Sequence, residues 1–134
     1  MVKKLARVLA RKYDEALAGS GINITQLAVM RCISRRKGEP LARVADELEM
    51  DRTSLYRAIG PMVRDGWLAI ADGTDARSRS AKITRKGSQV LAEAGKGWDR
   101  MQNRVIGGFG GADWGALVAE LHRLAECAEA VGKI

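Results

Sequence analysis

The sequence predicts a mainly α-helical fold carrying one small β-hairpin, and three observations predict it. Apolar residues recur at three- and four-residue spacing along most of the chain, and the period drops to two for a short stretch after Asp65-Gly66. Gly, Pro, Asn and Asp punctuate the junctions between these segments. The chain has 134 residues, 46% hydrophobic and 29% charged, enough for one domain with a real core.

The first helix is expected over about residues 3 to 18, with Leu5, Val8, Leu9, Tyr13, Ala16 and Leu17 on one stripe and "GSG" closing it. Thr25 is the expected N-cap of a second helix that turns Leu27, Met30 and Ile33 inward and stops at "RRKGEP". In "LARVADELEM", Leu41, Val44, Ala45 and Leu48 follow helical spacing, and Met50-Asp51 makes a turn whose carboxylate caps the next helix. That fourth helix is expected to bury Leu55, Ile59, Met62 and Val63, leaving Arg52, Thr53, Ser54, Tyr56 and Arg57 outward. Pro61 lacks an amide proton and costs about 3 kcal/mol in a regular helix interior, so a kink is expected at Gly60-Pro61, beyond the exposed cluster.

"WLAIAD" and "SAKIT" read as strands around the tip "GTDARSR". Thr84 is placed to cap a long fifth helix with Val90, Leu91, Ala94, Trp98, Met101 and Val105 on one side, bent or broken where Gly95 and Gly97 weaken it. "GGFGG" at 107 to 111 reads as a flexible connection to a last helix with Trp114, Leu117, Val118, Leu121, Leu124 and Ala128 inward. Two short helices on a tight turn, followed by a hairpin, make a winged helix-turn-helix.

Composition narrows the function. The net charge is +7 with a pI near 9.8, which suits a polyanionic partner. "ARSRSAKITRKG" holds Arg77, Arg79, Lys82, Arg85 and Lys86 with no acid, and Lys3, Lys4, Arg7, Arg11 and Lys12 form a second acid-free cluster. Basic residues interrupt the apolar start, which argues against a secretory signal, and no run approaches the roughly 20 residues of a membrane span. A cytoplasmic protein without a membrane partner is expected. Cys32 and Cys127 form no CxxC pair and His122 is the single histidine, so no metal site, cofactor or hydrolytic constellation is expected, and no enzyme.

Residues 22 to 94 carry a specific likeness. "ITQLAVMRCI", "LARVADELEMDRTSLYRAI" and "DGWLAIADGTDARSRSAKITRKG" resemble the second helix, the reader unit and the wing of the MarR family of bacterial transcriptional regulators. The wing signature is Asp-x-Arg, five residues, then Leu or Ile and Thr, here Asp75, Arg77, Ile83 and Thr84. Gly60-Pro61 departs from the commonest form of the family. The resemblance implies one domain over 1 to 134, with a winged helix-turn-helix at about 22 to 86 and dimerisation helices at about 3 to 18 and 87 to 131. It implies a homodimer on double-stranded DNA, reading helix in the major groove and Arg77 in the minor groove, oriented by Asp75.

On that reading Arg52, Thr53, Ser54, Tyr56, Arg57, Asp75, Arg77, Arg79 and Lys82 form the DNA-binding set. Thr53 and Arg57 suit base or phosphate contacts, Tyr56 suits packing against the hairpin, and Arg52 and Lys82 suit phosphates. The resemblance also implies a repressor released by a small aromatic or phenolic effector, which nothing in the chain identifies. Peroxide sensors of the family carry a thiol in the first helix; this first helix has none, and Cys32 reads as a small buried hydrophobe. The alternative is a winged-helix module that binds protein or RNA without operator specificity.

Overall fold

The computed structural model describes residues 1–74 and 76–134, with Ala76 as backbone only. Its elements run α1 Val2–Leu17, α2 Ile24–Arg35, α3 Leu41–Glu47, α4 Arg52–Arg64, β1 Leu68–Ala71, β2 Ser80–Ile83, α5 Arg85–Phe109 and α6 Gly111–Glu129. They divide into two compact units, Met1–Trp98 and Asp99–Ile134. The mainly α fold with a hairpin wing is the one the periodicity predicts.

In the first unit, Leu17, Leu27, Met30, Cys32, Val44, Leu55, Ile59 and Met62 close one apolar core among α1 to α4. α1 buries only Tyr13 and Leu17 of its stripe, while Leu5 and Val8 remain exposed. The N-cap of α2 is Asn23 rather than Thr25. The Asn23 side chain accepts the Gln26 amide at 2.8 Å, and the Gln26 side chain accepts the Asn23 amide at 3.0 Å. This reciprocal box satisfies two amides that Thr25, already inside the first turn, leaves unbonded. Asp14 of α1 accepts the next amide, from Ile24, at 2.6 Å and ties the two helices together.

α4 runs unbroken through Gly60 and Pro61. Arg57 and Gly60 are exposed, so water can replace the bond that Pro61 cannot donate. Val63 is a second departure, 36% exposed where burial was expected. Leu55, Ile59 and Met62 already fill the inward face, and one further residue turns about 100° away from it.

β1 and β2 pair antiparallel with Leu68 opposite Ile83 and Ala71 opposite Ser80, and a further bridge joins Pro40 to Ser80. α5 is continuous through Gly95 and Gly97, with no break. A Cβ on Gly97 would stand 2.7 Å from the Ala16 carbonyl oxygen, and one on Gly87 only 2.1 Å from that of Trp67. At both places glycine lets a neighbouring backbone approach α5 closely.

In the second unit, "GGFGG" is not a flexible connection. Gly107 to Phe109 complete α5, Gly111 opens α6, and Gly110 alone makes the turn with φ +110°. Phe109 packs edge-on against Trp114, ring centroids 6.3 Å apart, which helps hold this tight joint. The stripe of α6 is not inward within the chain: Trp114, Leu117 and Val118 are half-buried, while Leu121 and Leu124 are 46% and 59% exposed.

Candidate nucleic-acid interface

Asp51 organises the exposed end of α4. Its carboxylate accepts the Ser54 amide at 2.7 Å and the Ser54 hydroxyl at 3.1 Å. The Ser54 backbone N–H, followed by its hydroxyl, holds the Asp51 carboxyl below its ordinary pKa. Leu55 anchors this turn in the core. With the start of the helix fixed, Arg52, Thr53, Tyr56 and Arg57 stand exposed on its first two turns. Ser54 is half-buried and its hydroxyl is already engaged by the cap.

Arg77 lies exposed in a single 3-10 turn, Ala76–Ser78, at the hairpin tip. It lines a narrow crevice with Arg52 and Tyr56 of α4 and Leu41 and Ala42 of α3. Asp75, expected to orient Arg77, lies outside the described residues.

The acid-free run is less free than its composition suggests. The Arg79 Nε donates to Asp72 at 3.1 Å, and the Arg79 carbonyl accepts the Leu41 amide at 2.8 Å. Lys86 donates to the Asp65 carbonyl at 2.9 Å, at the C-terminal end of α4. Lys82 and Arg85 are exposed. Neither Asp72 nor the Pro40–Ser80 bridge carries a sequence signal, since each partner lies across a loop.

Thr84 caps α5 as expected, accepting the Gly87 amide at 3.0 Å. The same hydroxyl donates to the Gly66 carbonyl at 2.6 Å and lies 3.1 Å from that of Trp67. One side chain therefore joins the end of α4, the base of the wing and the start of α5.

Elsewhere in the first unit, Trp98 has the Arg31 guanidinium 4.5 Å above its ring and Tyr13 tilted against it at 6.1 Å. Two crevices of about 270 Å³ flank it, one lined by Leu9, Tyr13 and Ile24, the other by Leu27, Arg31 and Leu48. Cys32 is fully buried; burial first, then the neighbouring Glu47 carboxylate, push its thiol up to about 11. Among the described residues no His, Cys, Asp or Glu group is arranged to hold a metal, and no helix is long and apolar enough to cross a membrane.

Residues 27–69 match the family model of the IclR helix-turn-helix domain, a stretch running from α2 into β1. Over nearly its whole length the chain is similar to the transcriptional regulator MosR of M. tuberculosis, solved in complex with DNA. Identity is 32%, coverage 96% of this chain and 93% of MosR, and the TM-score 0.85. The MarR family regulator Sco5413 of Streptomyces coelicolor shares the fold at 19% identity, with a TM-score of 0.84 over 98% of this chain and 93% of that one. The HTH-type transcriptional regulator BilQ of Clostridioides difficile (strain CD3) is 26% identical over 100 residues, 74% of this chain and 68% of BilQ. The helix-turn-helix, the hairpin behind it and the near-complete match to MosR lead to one assignment: this chain belongs to the MarR family of winged helix-turn-helix transcriptional regulators, which are not enzymes.

Proposed function

We propose that the chain is a dimeric, cytoplasmic repressor that binds an operator in double-stranded DNA and leaves it on binding a small aromatic or phenolic effector. The exposed cluster Arg52, Thr53, Tyr56 and Arg57, on the capped turns of α4 and beside Arg77, carries this reading. The DNA complex of MosR supports it. In this reading Thr53 and Arg57 meet base edges in the major groove, and Arg77, oriented by Asp75, enters the minor groove. Arg52, Lys82, Arg85 and Lys86 meet phosphates, which position the protein without specifying sequence.

The reading treats 1 to 134 as one domain, with the reader at about 22 to 86 and dimerisation helices at about 3 to 18 and 87 to 131. Uncovered apolar residues on α1 and α6 support a dimer, as does their charge: Lys3, Lys4, Arg7 and Arg11 on one, Asp113, Glu126 and Glu129 on the other, where Glu120 is already paired with Arg123 of the same helix. The crevices beside Trp98 suit the effector, with rings to stack on and a guanidinium to meet a carboxylate or phenolate.

The test is selection of bound DNA from a random duplex pool, followed by a matrix of variants against selected, point-mutated and random duplexes. An imperfect inverted repeat with half-site centres about one helical turn apart is expected. Thr53→Ala or Arg57→Ala should lose about 1–3 kcal/mol of discrimination, whereas Arg77→Ala should weaken binding to most duplexes. No preferred sequence would favour the protein- or RNA-binding module, whereas equal loss on all three DNAs for Thr53→Ala and Arg57→Ala would mean that the cluster only touches phosphates and is not the reading surface.

A further inference from the structure

The paired strands end at Ala71 and Ser80, so Asp72 and Arg79 flank the neck where the hairpin opens into its tip. Across that neck the Arg79 Nε donates to the Asp72 carboxylate at 3.1 Å. The main chain of Arg79 makes a second tie. Its carbonyl accepts the Leu41 amide at 2.8 Å, next to the Pro40–Ser80 bridge. Leu41 opens α3, whose N-cap Pro40 supplies no side-chain acceptor. One residue therefore joins the two sides of the hairpin and fastens them to the helix-turn-helix. Just beyond the neck the tip is narrow: a Cβ on Gly73 would overlap the Ser78 side chain and stand 2.8 Å from the Ser78 carbonyl oxygen. Arg77, on the turn that this neck carries, lines the crevice with Arg52 and Tyr56.

We propose that Asp72 and Arg79 are positioning residues, a clasp that keeps the wing tip closed and Arg77 beside α4 before any duplex arrives. Arg79, half-buried at the neck, then acts on DNA through Arg77, which is exposed on the tip. An open tip would have to be ordered on binding, and a tip closed in advance spares that entropy. The pair is distinct from Asp75 with Arg77, which the family resemblance implies. The effect on DNA affinity rests on the operator reading; the clasp itself does not.

The test uses Arg79→Asp, Asp72→Arg and the exchanged double variant, each with and without Arg77→Ala. In the full ¹⁵N-labelled chain without DNA, the heteronuclear NOEs of the Gly73 and Ser78 amides should fall in each single variant. They should recover in the exchanged double variant. Affinity is then measured on the selected duplex, or on a random one if selection enriches none. The double variant should bind about two- to fivefold more tightly than the two single effects combined, the range of an exposed ion pair. In the Arg77→Ala background that coupling should vanish, because the clasp has no side chain left to place. Unchanged NOEs in the single variants would overturn the clasp. Absent coupling, or coupling that survives Arg77→Ala, would overturn the positioning role. If no variant and no parent chain bound a duplex, the operator reading would fail instead, and the NOEs would still decide the clasp.

Discussion

Cys32 and Cys127 are chemically identical and differently placed. Cys32 is sealed in the core, where burial and the Glu47 carboxylate push its thiol up to about 11; Cys127 is exposed on α6. The thiolate is the reactive form, so Cys32 is protected twice, by access and by protonation. Iodoacetamide at pH 8 should add one carbamidomethyl group to the native chain, on Cys127, and two after unfolding in guanidinium. Intact-mass measurement decides it, and two adducts on the native chain would mean that Cys32 is reachable. The folded state holds the Cys32 proton more tightly than the unfolded one. The resulting stabilisation is therefore fully present below the ordinary value of 9.0 and is lost as pH rises through about 11. Cys32→Ala should accordingly flatten the alkaline limb of a stability–pH curve.

Three helical glycines separate composition from contact. A Cβ on Gly60 meets nothing within 4 Å, whereas on Gly87 and Gly97 it would stand 2.1 Å and 2.7 Å from backbone carbonyl oxygens. The open space at Gly60 leaves Pro61 out of account: its ring disfavours helical backbone at a preceding residue that carries a Cβ, which offsets the gain in helix propensity, so Gly60→Ala should change stability by less than about 0.5 kcal/mol. Gly87→Ala and Gly97→Ala should each destabilise it by about 1–3 kcal/mol, because α5 must move off its neighbour. Urea unfolding of the three variants tests the contrast, and equal effects would refute it. The same distinction explains what the sequence made legible. Asp51, Thr84 and the strand alternation act over a few residues, so the caps, the helix-turn-helix and the hairpin could be read directly. Gly107 and Gly108 read as loop because propensity favours it, yet they complete α5 in front of the Phe109–Trp114 contact. Asn23 was missed because two cap candidates lay close together and only the reciprocal bond with Gln26 separates them. At the candidate interface, the exposed face of α4 followed from its spacing; the Arg79–Asp72 pair did not, since its partners meet only when the hairpin closes.

At the scale of the whole molecule, charge and apolar surface are unevenly distributed, and the proposed dimer uses both. Lys3, Lys4 and Arg7 lie on the exposed start of α1, and Glu126 and Glu129 near the end of α6. Changing the three basic residues to Glu should lower the dimer fraction in sedimentation at micromolar concentration, and Glu126→Lys/Glu129→Lys in the same chain should restore part of it. Loss without any restoration would remove charge complementarity from the account of assembly. The net charge of +7 then misstates what a duplex would feel. The cations on α1 belong to assembly in this reading, and Arg79 presents the duplex with one end of a dipole because Asp72 lies against it. Counterions leave DNA only where protein cations replace them. The slope of log affinity against log salt would therefore count the few side chains around α4 and the hairpin, and Asp72→Asn would steepen it without adding a single positive charge.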